Sequence, residues 1–213
     1  KLNQIFSQTG EGWEEESLDD VCEIISGGTP KTSIKDYWGG GVAWITPSDM
    51  GKLKNKEVFK TRREISKIGL AKSSAKLLPI NSVILSTRAP IGHIAINTVP
   101  MSTNQGCRGL VVTSKIDKFF LYYFLLSNVK LLNNLGRGTT FKELSKKALG
   151  TVKISLCSIN NQKIIINKLE QIETLNKSLV SNYEKELESL EELKKSILQK
   201  AFARELTNKN DAA

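Results

Sequence analysis

Residues 160–206 read NNQKIIINKLEQIETLNKSLVSNYEKELESLEELKKSILQKAFAREL, a stretch of 47 residues without Pro or Gly. Apolar side chains recur through this stretch with the helical repeat of about 3.6 residues. These side chains are Ile165, Leu169, Ile172, Leu175, Leu179, Tyr183, Leu187, Leu190, Leu193, Ile197 and Ala201, and we call them the apolar stripe. A straight helix of this length would extend about 70 Å, which is too long to pack wholly against its own small domain. We therefore expect the apolar stripe to pair with another helix.

The positive charge of the chain lies upstream of this helix. Residues 160–206 carry eight basic and eight acidic side chains, whereas residues 24–159 carry 21 Lys and Arg against six Asp and Glu. Lys and Arg pair with phosphates, and the release of condensed counterions favours that binding. The charge distribution therefore favours a polyanion such as nucleic acid as partner, with an inert basic surface as the simpler alternative.

Length and cysteine content narrow the class of protein. The 213 residues fit one domain of about 150 residues followed by the helical arm. Cys22, Cys107 and Cys157 are widely spaced and odd in number, which argues for a reducing compartment and against a disulfide framework or a zinc site. No apolar run approaches a membrane span and no signal-peptide pattern opens the sequence, so we expect a soluble, cytoplasmic protein. The numbering begins at Lys1 rather than Met, which is compatible with a fragment or a processed chain.

Periodicity and turn residues predict an α+β fold, in which a mixed α/β globular domain without a regular βαβ repeat precedes the long C-terminal α-helix. Strands are predicted at residues 21–26, 42–46, 82–87, 91–97, 109–113 and 152–156. Helices are predicted at residues 64–72, at 117–134 with Asp117 as N-cap and Gly136 beyond the end, and at 140–148, where Thr140 and Glu143 have capping-box spacing. The resulting division is a globular domain at residues 1–159, the long helix at 160–206 and a tail at 207–213.

Six blocks of sequence occur in order along the chain. They are Gly27-Gly28-Thr29-Pro30 continuing through Tyr37-Trp38-Gly39-Gly40 to Trp44-Ile45-Thr46-Pro47-Ser48-Asp49-Met50; Ser86-Thr87-Arg88-Ala89-Pro90-Ile91-Gly92; Thr103-Asn104-Gln105-Gly106; Gly138-Thr139-Thr140 with Leu144-Ser145; Asn161-Gln162-Lys163-Ile164; and Lys195-Ser196-Ile197-Leu198-Gln199-Lys200-Ala201-Phe202. A single block is a weak signal. Taken together and in this order, the blocks resemble the specificity subunit of type I restriction–modification systems over nearly the whole chain.

This resemblance implies a subunit that reads a DNA sequence and brings methyltransferase (modification) subunits, and through them a restriction subunit, to the target. Members of the family usually carry two target recognition domains and two long helices in one chain, and they recognise a bipartite target. The present chain has one of each. The resemblance is therefore compatible with a half-size subunit that homodimerises through an antiparallel coiled coil, or with one half of a longer chain.

The resemblance and the basic loops beside the blocks together indicate candidate contact residues. For contacts with double-stranded DNA they are Lys31, Thr32, Lys35, Thr46, Ser48, Lys52, Arg88, Asn104, Gln105, Arg137, Thr139, Thr140 and Lys142. For dimerisation through the long helix they are Ile165, Leu169, Ile172, Leu179, Tyr183, Leu190, Leu193 and Ile197.

Several of these blocks also have a purely structural interpretation. The Gly27-Gly28 pair suits a turn that needs positive φ, and residues 104–106 suit a tight turn, which we favour. Residues 136–140 could hold a phosphate at a helix N-terminus or could only cap two helices. Arg88 could reach a DNA groove or pair with a carboxylate. His93, the only histidine, is expected to be a packed core residue rather than a general base.

No catalytic motif is present in the sequence. One histidine without a fitting Cys or Ser partner cannot form a nucleophile–base constellation. The sequence also lacks a Gly-x-Gly-x-x-Gly motif, a P-loop and an Asn/Asp-Pro-Pro-aromatic element. We therefore expect no catalysis, metal or cofactor in this chain. The resemblance implies that S-adenosylmethionine, ATP and Mg are bound by partner subunits. Two rival hypotheses are a stand-alone DNA-binding regulator that dimerises through the helix, and a nuclease or fused methyltransferase.

Overall fold

A computed structural model describes Phe6, residues 11–138 and residues 142–203 of the chain. The chain divides between Ile166 and Asn167 into two compact units. The strands are Glu14–Ser17 (β1), Cys22–Ser26 (β2), Trp38–Ile45 (β3), Glu57–Val58 (β4), Arg63–Ile65 (β5), Val83–Thr87 (β6), Ile91–Asn97 (β7), Met101–Thr103 (β8), Cys107–Val112 (β9) and Lys153–Leu156 (β10). The helices are Leu18–Val21 (α1), Pro47–Met50 (α2), Lys67–Ala71 (α3), Lys118–Ser127 (α4), Val129–Leu135 (α5), Lys146–Gly150 (α6) and Ile159–Phe202 (α7), with a 3-10 turn at Lys35–Tyr37.

The strands of the first unit form three sheets. The largest sheet has the order β2-β9-β6-β7-β4, a second has the order β5-β3-β8, and β1 pairs with β10. Most neighbouring strands are antiparallel; within the described residues, parallel pairing occurs between β3 and β8 and between β4 and β7. The first unit is therefore a mixed α+β structure without a regular βαβ repeat, and the long helix follows it. The predicted α+β domain and the predicted long C-terminal helix are both confirmed.

The main hydrophobic core connects the two larger sheets. Ile45 of β3 and Met101 of β8 contact a cluster that contains Ile84 of β6 and Ala95 of β7. All five residues of β6, which lies between β9 and β7, are buried. Each fully buried aliphatic side chain contributes about 1.5–3 kcal/mol to folding. This packing holds the ends of β2, β6 and β9 at one edge of the sheet.

The predicted helix at residues 64–72 is partly wrong. Residues Arg63–Ile65 form strand β5 instead, and the helix is shortened to Lys67–Ala71. Ile65 is fully buried and pairs with Val42 of β3. Strand pairing therefore overrides the local helical pattern, since β-propensity depends on packing against neighbouring strands.

The predicted helix at residues 117–134 is interrupted. Asp117 caps α4 as expected, because its carboxylate accepts a hydrogen bond from Phe119 N at 2.8 Å. Asn128 then leaves the helical conformation, with φ −106° and ψ 15°, and separates α4 from α5. Its side-chain amide donates to Phe124 O at 2.9 Å, so the amide competes with the helical hydrogen bonds of the backbone. Gly136 follows the end of α5, as predicted.

The predicted helix at residues 140–148 begins later than expected. Thr140 lies outside the described residues, and Glu143 exchanges backbone hydrogen bonds with Arg137 at 2.8 and 3.0 Å. Helix α6 starts at Lys146, where the Ser145 hydroxyl accepts a hydrogen bond from Ala148 N at 3.1 Å. The capping-box interpretation is therefore wrong, because a β-bridge occupies the backbone of Glu143.

Glycine is needed at positions 27 and 28 for a reason other than the predicted turn with positive φ. Neither Gly27 nor Gly28 has positive φ. A Cβ on Gly27 would lie 2.0 Å from Asn104 O, and one on Gly28 would lie 2.4 Å from Ala75 N. The two glycines are thus required because backbones approach closely, not because φ is positive.

Helix α7 exposes most of the apolar stripe. From Ile172 to Ile197 its members are exposed to solvent. Leu169, one of the residues predicted to dimerise, is instead buried within the chain, with 4% exposure, and Ile165 is half-buried. The free part of the stripe therefore begins at Ile172.

The first turn of α7 is fixed to the first unit by Gln162. This side chain is fully buried. Its amide nitrogen donates to Lys115 O and Cys157 O, both at 2.9 Å, and its amide oxygen accepts from Asp117 N at 2.9 Å. These three hydrogen bonds reach the loop before α4 and the end of β10, so the start of the helix is part of the globular core.

Replacing Gln162 by Leu should lower the free energy of unfolding by about 3 kcal/mol or more. The change removes three hydrogen bonds, and each buried polar group left without its partner costs about 1–3 kcal/mol. Asn161→Leu is the matched control, because Asn161 is the exposed neighbour on the same turn. Urea unfolding of both variants measures the difference. Equal stability of the two variants would contradict this role of Gln162.

Candidate nucleic-acid interface

Residues 104–106 form the tight turn favoured from the sequence. Asn104 Oδ1 accepts a hydrogen bond from Gly106 N at 3.0 Å, and Asn104 N donates to Ile45 O at 3.1 Å. Cys107 N closes the turn on Asn104 O at 3.1 Å. The turn leaves the Gln105 side chain exposed.

Other sequence blocks meet at this turn. Gly28 N donates to Thr103 O at 2.8 Å, the Thr29 hydroxyl donates to Gln105 Oε1 at 2.5 Å, and Thr87 N donates to Gly106 O at 2.7 Å. These contacts follow from the topology: β2 ends, β6 ends and β9 begins at the same edge of the large sheet. Blocks that are far apart in the sequence therefore form one surface, which we call the turn surface.

A cluster of arginines adjoins the turn surface. The Glu143 carboxylate contacts Arg88 Nη2 at 2.6 Å and Arg108 Nη2 at 3.5 Å. Arg108 Nη1 also donates to Gln105 O at 2.9 Å, which connects the cluster to the turn. Arg137 is exposed and pairs through its backbone with Glu143. Three arginines thus lie around one glutamate, and positive charge remains in excess.

The environments of these arginines differ. Arg108 is buried, and burial lowers the pKa of its guanidinium, while the nearby Glu143 carboxylate opposes that shift. The Arg88 side chain is 44% exposed. The structure therefore shows the carboxylate pairing considered for Arg88, while its contact with DNA stays a prediction. Guanidinium groups match both phosphate oxygens and the O6 and N7 acceptors of guanine, so the exposed arginines are suited to either.

The basic loop after Pro30 is exposed but held by its neighbours. Lys31, Thr32 and Lys35 are all exposed. Lys31 O accepts a hydrogen bond from Trp38 Nε1 at 3.3 Å. Because Trp38 packs edge-on against Trp44, with ring centroids 5.1 Å apart, the loop is attached to the second sheet. Its lysines are available for phosphates in a defined position.

The candidates around α2 differ in availability. The Thr46 hydroxyl donates to Asp49 Oδ2 at 2.6 Å and accepts from Asp49 N at 3.3 Å, so it caps the helix. Ser48 and Lys52 are exposed. The Thr46 hydroxyl is therefore engaged in capping α2, whereas the side chains of Ser48 and Lys52 are exposed to solvent and available for DNA.

The remaining candidates follow Arg137. Lys142 is exposed but precedes α6 rather than lying on it. Thr139 and Thr140 lie outside the described residues. A helix N-terminus directly after residues 136–140 is ruled out, because α6 begins at Lys146. The structure thus does not support a phosphate site of that kind there.

Sequence reasoning missed two residues of this surface. Arg108 was not singled out, although it is a charged residue within the otherwise apolar strand β9, Cys107–Val112. Glu143 was interpreted as a helix cap and instead pairs with Arg88 and Arg108. The charge inside an apolar strand was a usable signal for Arg108. The partner of Glu143 depends on contacts between distant segments, which no local pattern contains.

The groups that could react are few in the described residues. Burial raises the pKa of the Cys22 and Cys107 thiols to about 12, so neither forms a thiolate at neutral pH. His93 is half-buried rather than a core residue. No group of three or more His, Cys, Asp or Glu side chains in the described part of the chain is arranged to hold a metal ion.

None of the described helices is long and apolar enough to cross a membrane.

The chain is similar to proteins of one family. Residues 10–189 match the family described as "Type I restriction modification DNA specificity domain". The chain is 32% identical over 183 residues to the type I restriction enzyme MjaIX specificity subunit of Methanocaldococcus jannaschii, a match that covers 85% of this chain and 41% of that protein.

Two solved structures resemble the chain. One, from a study of complex assembly and conformational transition of the type I R-M system, has a TM-score of 0.77 at 26% identity and covers 94% of this chain and 49% of the other. The HsdS subunit from Thermoanaerobacter tengcongensis has the same fold, with a TM-score of 0.66 at 24% identity over 82% of this chain and 41% of the other. The chain thus spans less than half the length of these three proteins. With the family match across residues 10–189, it belongs to the family of type I restriction–modification DNA specificity domains.

Proposed function

We propose that this chain is the DNA-recognition subunit of a type I restriction–modification complex. In this role it directs methyltransferase subunits, and through them a restriction subunit, to a bipartite target in double-stranded DNA. The observation that carries the proposal is the family match over residues 10–189. Relatives named as specificity subunits fit the same role and do not support a stand-alone regulator.

The DNA-contacting region in this proposal is the turn surface with the adjoining arginines and the basic loop. Phosphate contacts fix the position of a protein on DNA, whereas side chains that reach base edges specify the sequence. Lys31, Lys35 and Lys142 are exposed point charges suited to phosphates. Exposed Gln105 carries an amide donor and an amide acceptor, and exposed Arg137 carries guanidinium donors, all of which can pair with base edges.

The long helix supplies the second half of the mechanism. Its exposed apolar stripe, from Ile172 onward, is proposed to pair with the same helix of a second copy in an antiparallel coiled coil. Each copy would then contribute one recognition domain, and a rigid connection between two domains converts two short contacts into one bipartite site. The chain spans 41% of its relative from Methanocaldococcus jannaschii, so two copies would approach the length of such a protein.

Catalysis is assigned to the partner subunits. We propose that S-adenosylmethionine, ATP and Mg bind to the methyltransferase and restriction subunits and that this chain binds none of them. The proposal rests on the sequence, which lacks a methyl-donor motif and a P-loop, and on relatives that are named specificity subunits. A nuclease or methyltransferase activity of the chain itself is therefore not expected.

Charge reversal tests the DNA-contacting region. The double variant Lys31→Glu with Lys35→Glu should weaken DNA binding at least about tenfold. It should also reduce the slope of log Kd against log salt, by about 0.9 for each phosphate that the protein no longer neutralises. The matched control is Lys194→Glu with Lys195→Glu, which reverses two exposed charges on α7. Fluorescence anisotropy on duplex DNA at several salt concentrations measures both quantities. Equal losses of affinity in the two double variants would mean that DNA does not contact the loop after Pro30.

A further inference from the structure

Residues 52–63, which we call the basic segment, are a strongly charged stretch that begins just after α2 and reaches the first residue of β5. The segment carries six Lys and Arg (Lys52, Lys54, Lys56, Lys60, Arg62 and Arg63) and one acidic residue, Glu57. Within it lies Phe59, which is 70% exposed. Phe59 is followed directly by exposed Lys60, so this part of the segment offers an apolar ring and a cation side by side, which suits a ligand that is both anionic and apolar.

The backbone on both sides of Phe59 is firmly held. The preceding residue, Val58, is buried, and its carbonyl accepts a hydrogen bond from Thr98 N at 2.9 Å. On the other side, the Thr61 hydroxyl accepts from Trp44 N at 3.1 Å and donates to Arg63 O at 2.7 Å. Phe59 and Lys60 are thus the short connection between two anchored points. The fold presents the aromatic ring in solvent from a backbone that is held on both sides, so binding a ligand does not require the loop itself to be ordered.

The basic segment is connected to the turn surface. Arg62 Nε lies 3.6 Å from Asp49 Oδ1, and Asp49 is the residue that caps α2 together with Thr46. Pro47, the first residue of α2, lies close to Gly106. A Cβ added to Gly106 would be 3.0 Å from Pro47 Cγ. Arg62, near the end of the segment, is therefore linked through α2 to residues 104–106. Phe59 itself follows Val58, which pairs with Asn97 at the end of β7 opposite to the turn surface, so it would add a DNA contact outside that surface.

We propose that Phe59 is a base-contacting residue, which enters a groove of the DNA while Lys60 pairs with an adjacent phosphate. DNA has the required combination of chemistry: phosphates for the cations, and thymine methyl groups or base steps for the apolar ring. Arg63, whose guanidinium lies 3.7 Å from the Trp38 ring centroid, and Lys56, which lies over the Phe119 ring, are held by aromatic neighbours. Exposed Lys52, Lys54 and Lys60 remain for the phosphates. This inference rests on the proposed function and adds an apolar contact to it.

The contact of an apolar ring and that of a cation have different signatures in salt. Phe59→Ala should weaken binding of the full chain to its selected duplex about tenfold, with the slope of log Kd against log salt unchanged, because no charge is removed. Phe59→Leu should retain most of the affinity. Lys60→Gln should reduce the slope by about one. The probe is the duplex that the unmodified chain enriches from a random-sequence pool, and a scrambled duplex of equal length serves as reference.

Phe202→Ala is the matched control, because Phe202 is also an exposed phenylalanine, at 86%, but lies on α7 outside the first unit. It should leave both affinity and slope unchanged. If Phe59→Ala behaves like Phe202→Ala, Phe59 does not contact DNA. If Phe59→Ala instead reduces copurification with a methyltransferase subunit while DNA affinity is kept, the surface binds protein and the inference is wrong. Failure of the unmodified chain to enrich any sequence would contradict the proposed function itself, which is a distinguishable outcome.

Discussion

Changing Leu179 and Leu190 together to Lys should give a chain that is monomeric at tens of micromolar, where the unmodified chain is dimeric. Both side chains are more than half exposed on α7, at 51% and 55%. Burial of each leucine against a partner helix would contribute about 1.5–3 kcal/mol. Lysine in their place would either bury a charge or keep the helices apart. Light scattering and sedimentation measure the mass directly.

A matched control separates the loss of the stripe from the added charge. Thr174→Lys with Ser181→Lys introduces the same two charges into the same helix, at exposed positions on the face opposite the apolar stripe. This variant should remain dimeric. The first unit should keep its unfolding transition in both variants, because the substitutions lie beyond Ile166. A monomeric unmodified chain would contradict self-pairing, and the helix would then serve to bind another kind of subunit.

A chain that ends after Ile166 should still bind DNA but should direct no methylation. It keeps Gln162 and the three hydrogen bonds that fix the first turn of α7 to the first unit. It lacks the exposed apolar stripe from Ile172 onward, and therefore also the proposed pairing with a second copy. Connecting two recognition domains commonly raises the apparent affinity for DNA by about 10²–10⁴. Two separate domains lack this increase.

The shortened chain needs two measurements. Urea unfolding should give a cooperative transition, which shows that the loss of activity is not a loss of fold. Methylation is then followed with a cognate methyltransferase subunit, S-adenosylmethionine and DNA. Sequence-specific methylation in the presence of the shortened chain would show that the helix is dispensable, and the proposed spacing role would be wrong.

The sequence predicted the elements whose signal is local. The long helix was predicted within a few residues because 47 residues without Pro or Gly carry a continuous helical repeat. Strands β6 and β7 were predicted, with the observed bounds of β7, since both stretches are rich in apolar and β-branched residues and Arg88-Ala89-Pro90 separates them. Asp117 was correctly predicted as an N-cap, because capping depends on neighbouring residues only.

Predictions failed where contacts between distant segments decide the conformation. Ile65 becomes part of a strand because Val42 pairs with it. Glu143 leaves the predicted helix because its backbone and carboxylate bind arginines from other segments, Arg88 at 2.6 Å among them. Gly27 is required by the approach of Asn104 rather than by its own φ. In each case the local pattern was compatible with two structures, and tertiary packing selected one.

The candidate interface was only partly accessible from the sequence. The blocks indicated which loops to consider, but their meeting at residues 104–106 depends on the order of β2, β9 and β6 in the sheet. Phe59 and Arg108 lie outside the blocks used, and their settings, one exposed and one buried, became visible only in the fold. Which of the predicted side chains touch DNA stays a prediction.

The most direct test is the methylation pattern that the chain produces. The full chain, a cognate methyltransferase subunit and S-adenosylmethionine are incubated with genomic DNA that lacks modification, and methylated bases are mapped by single-molecule sequencing. We expect one bipartite motif with a fixed spacer, and a palindromic one if two copies of this chain supply both halves, since a twofold-symmetric dimer reads symmetric half-sites. The methyltransferase without this chain should methylate no such motif. Methylation at a continuous motif, or at the same sites without this chain, would contradict the proposal that it is the DNA-reading subunit.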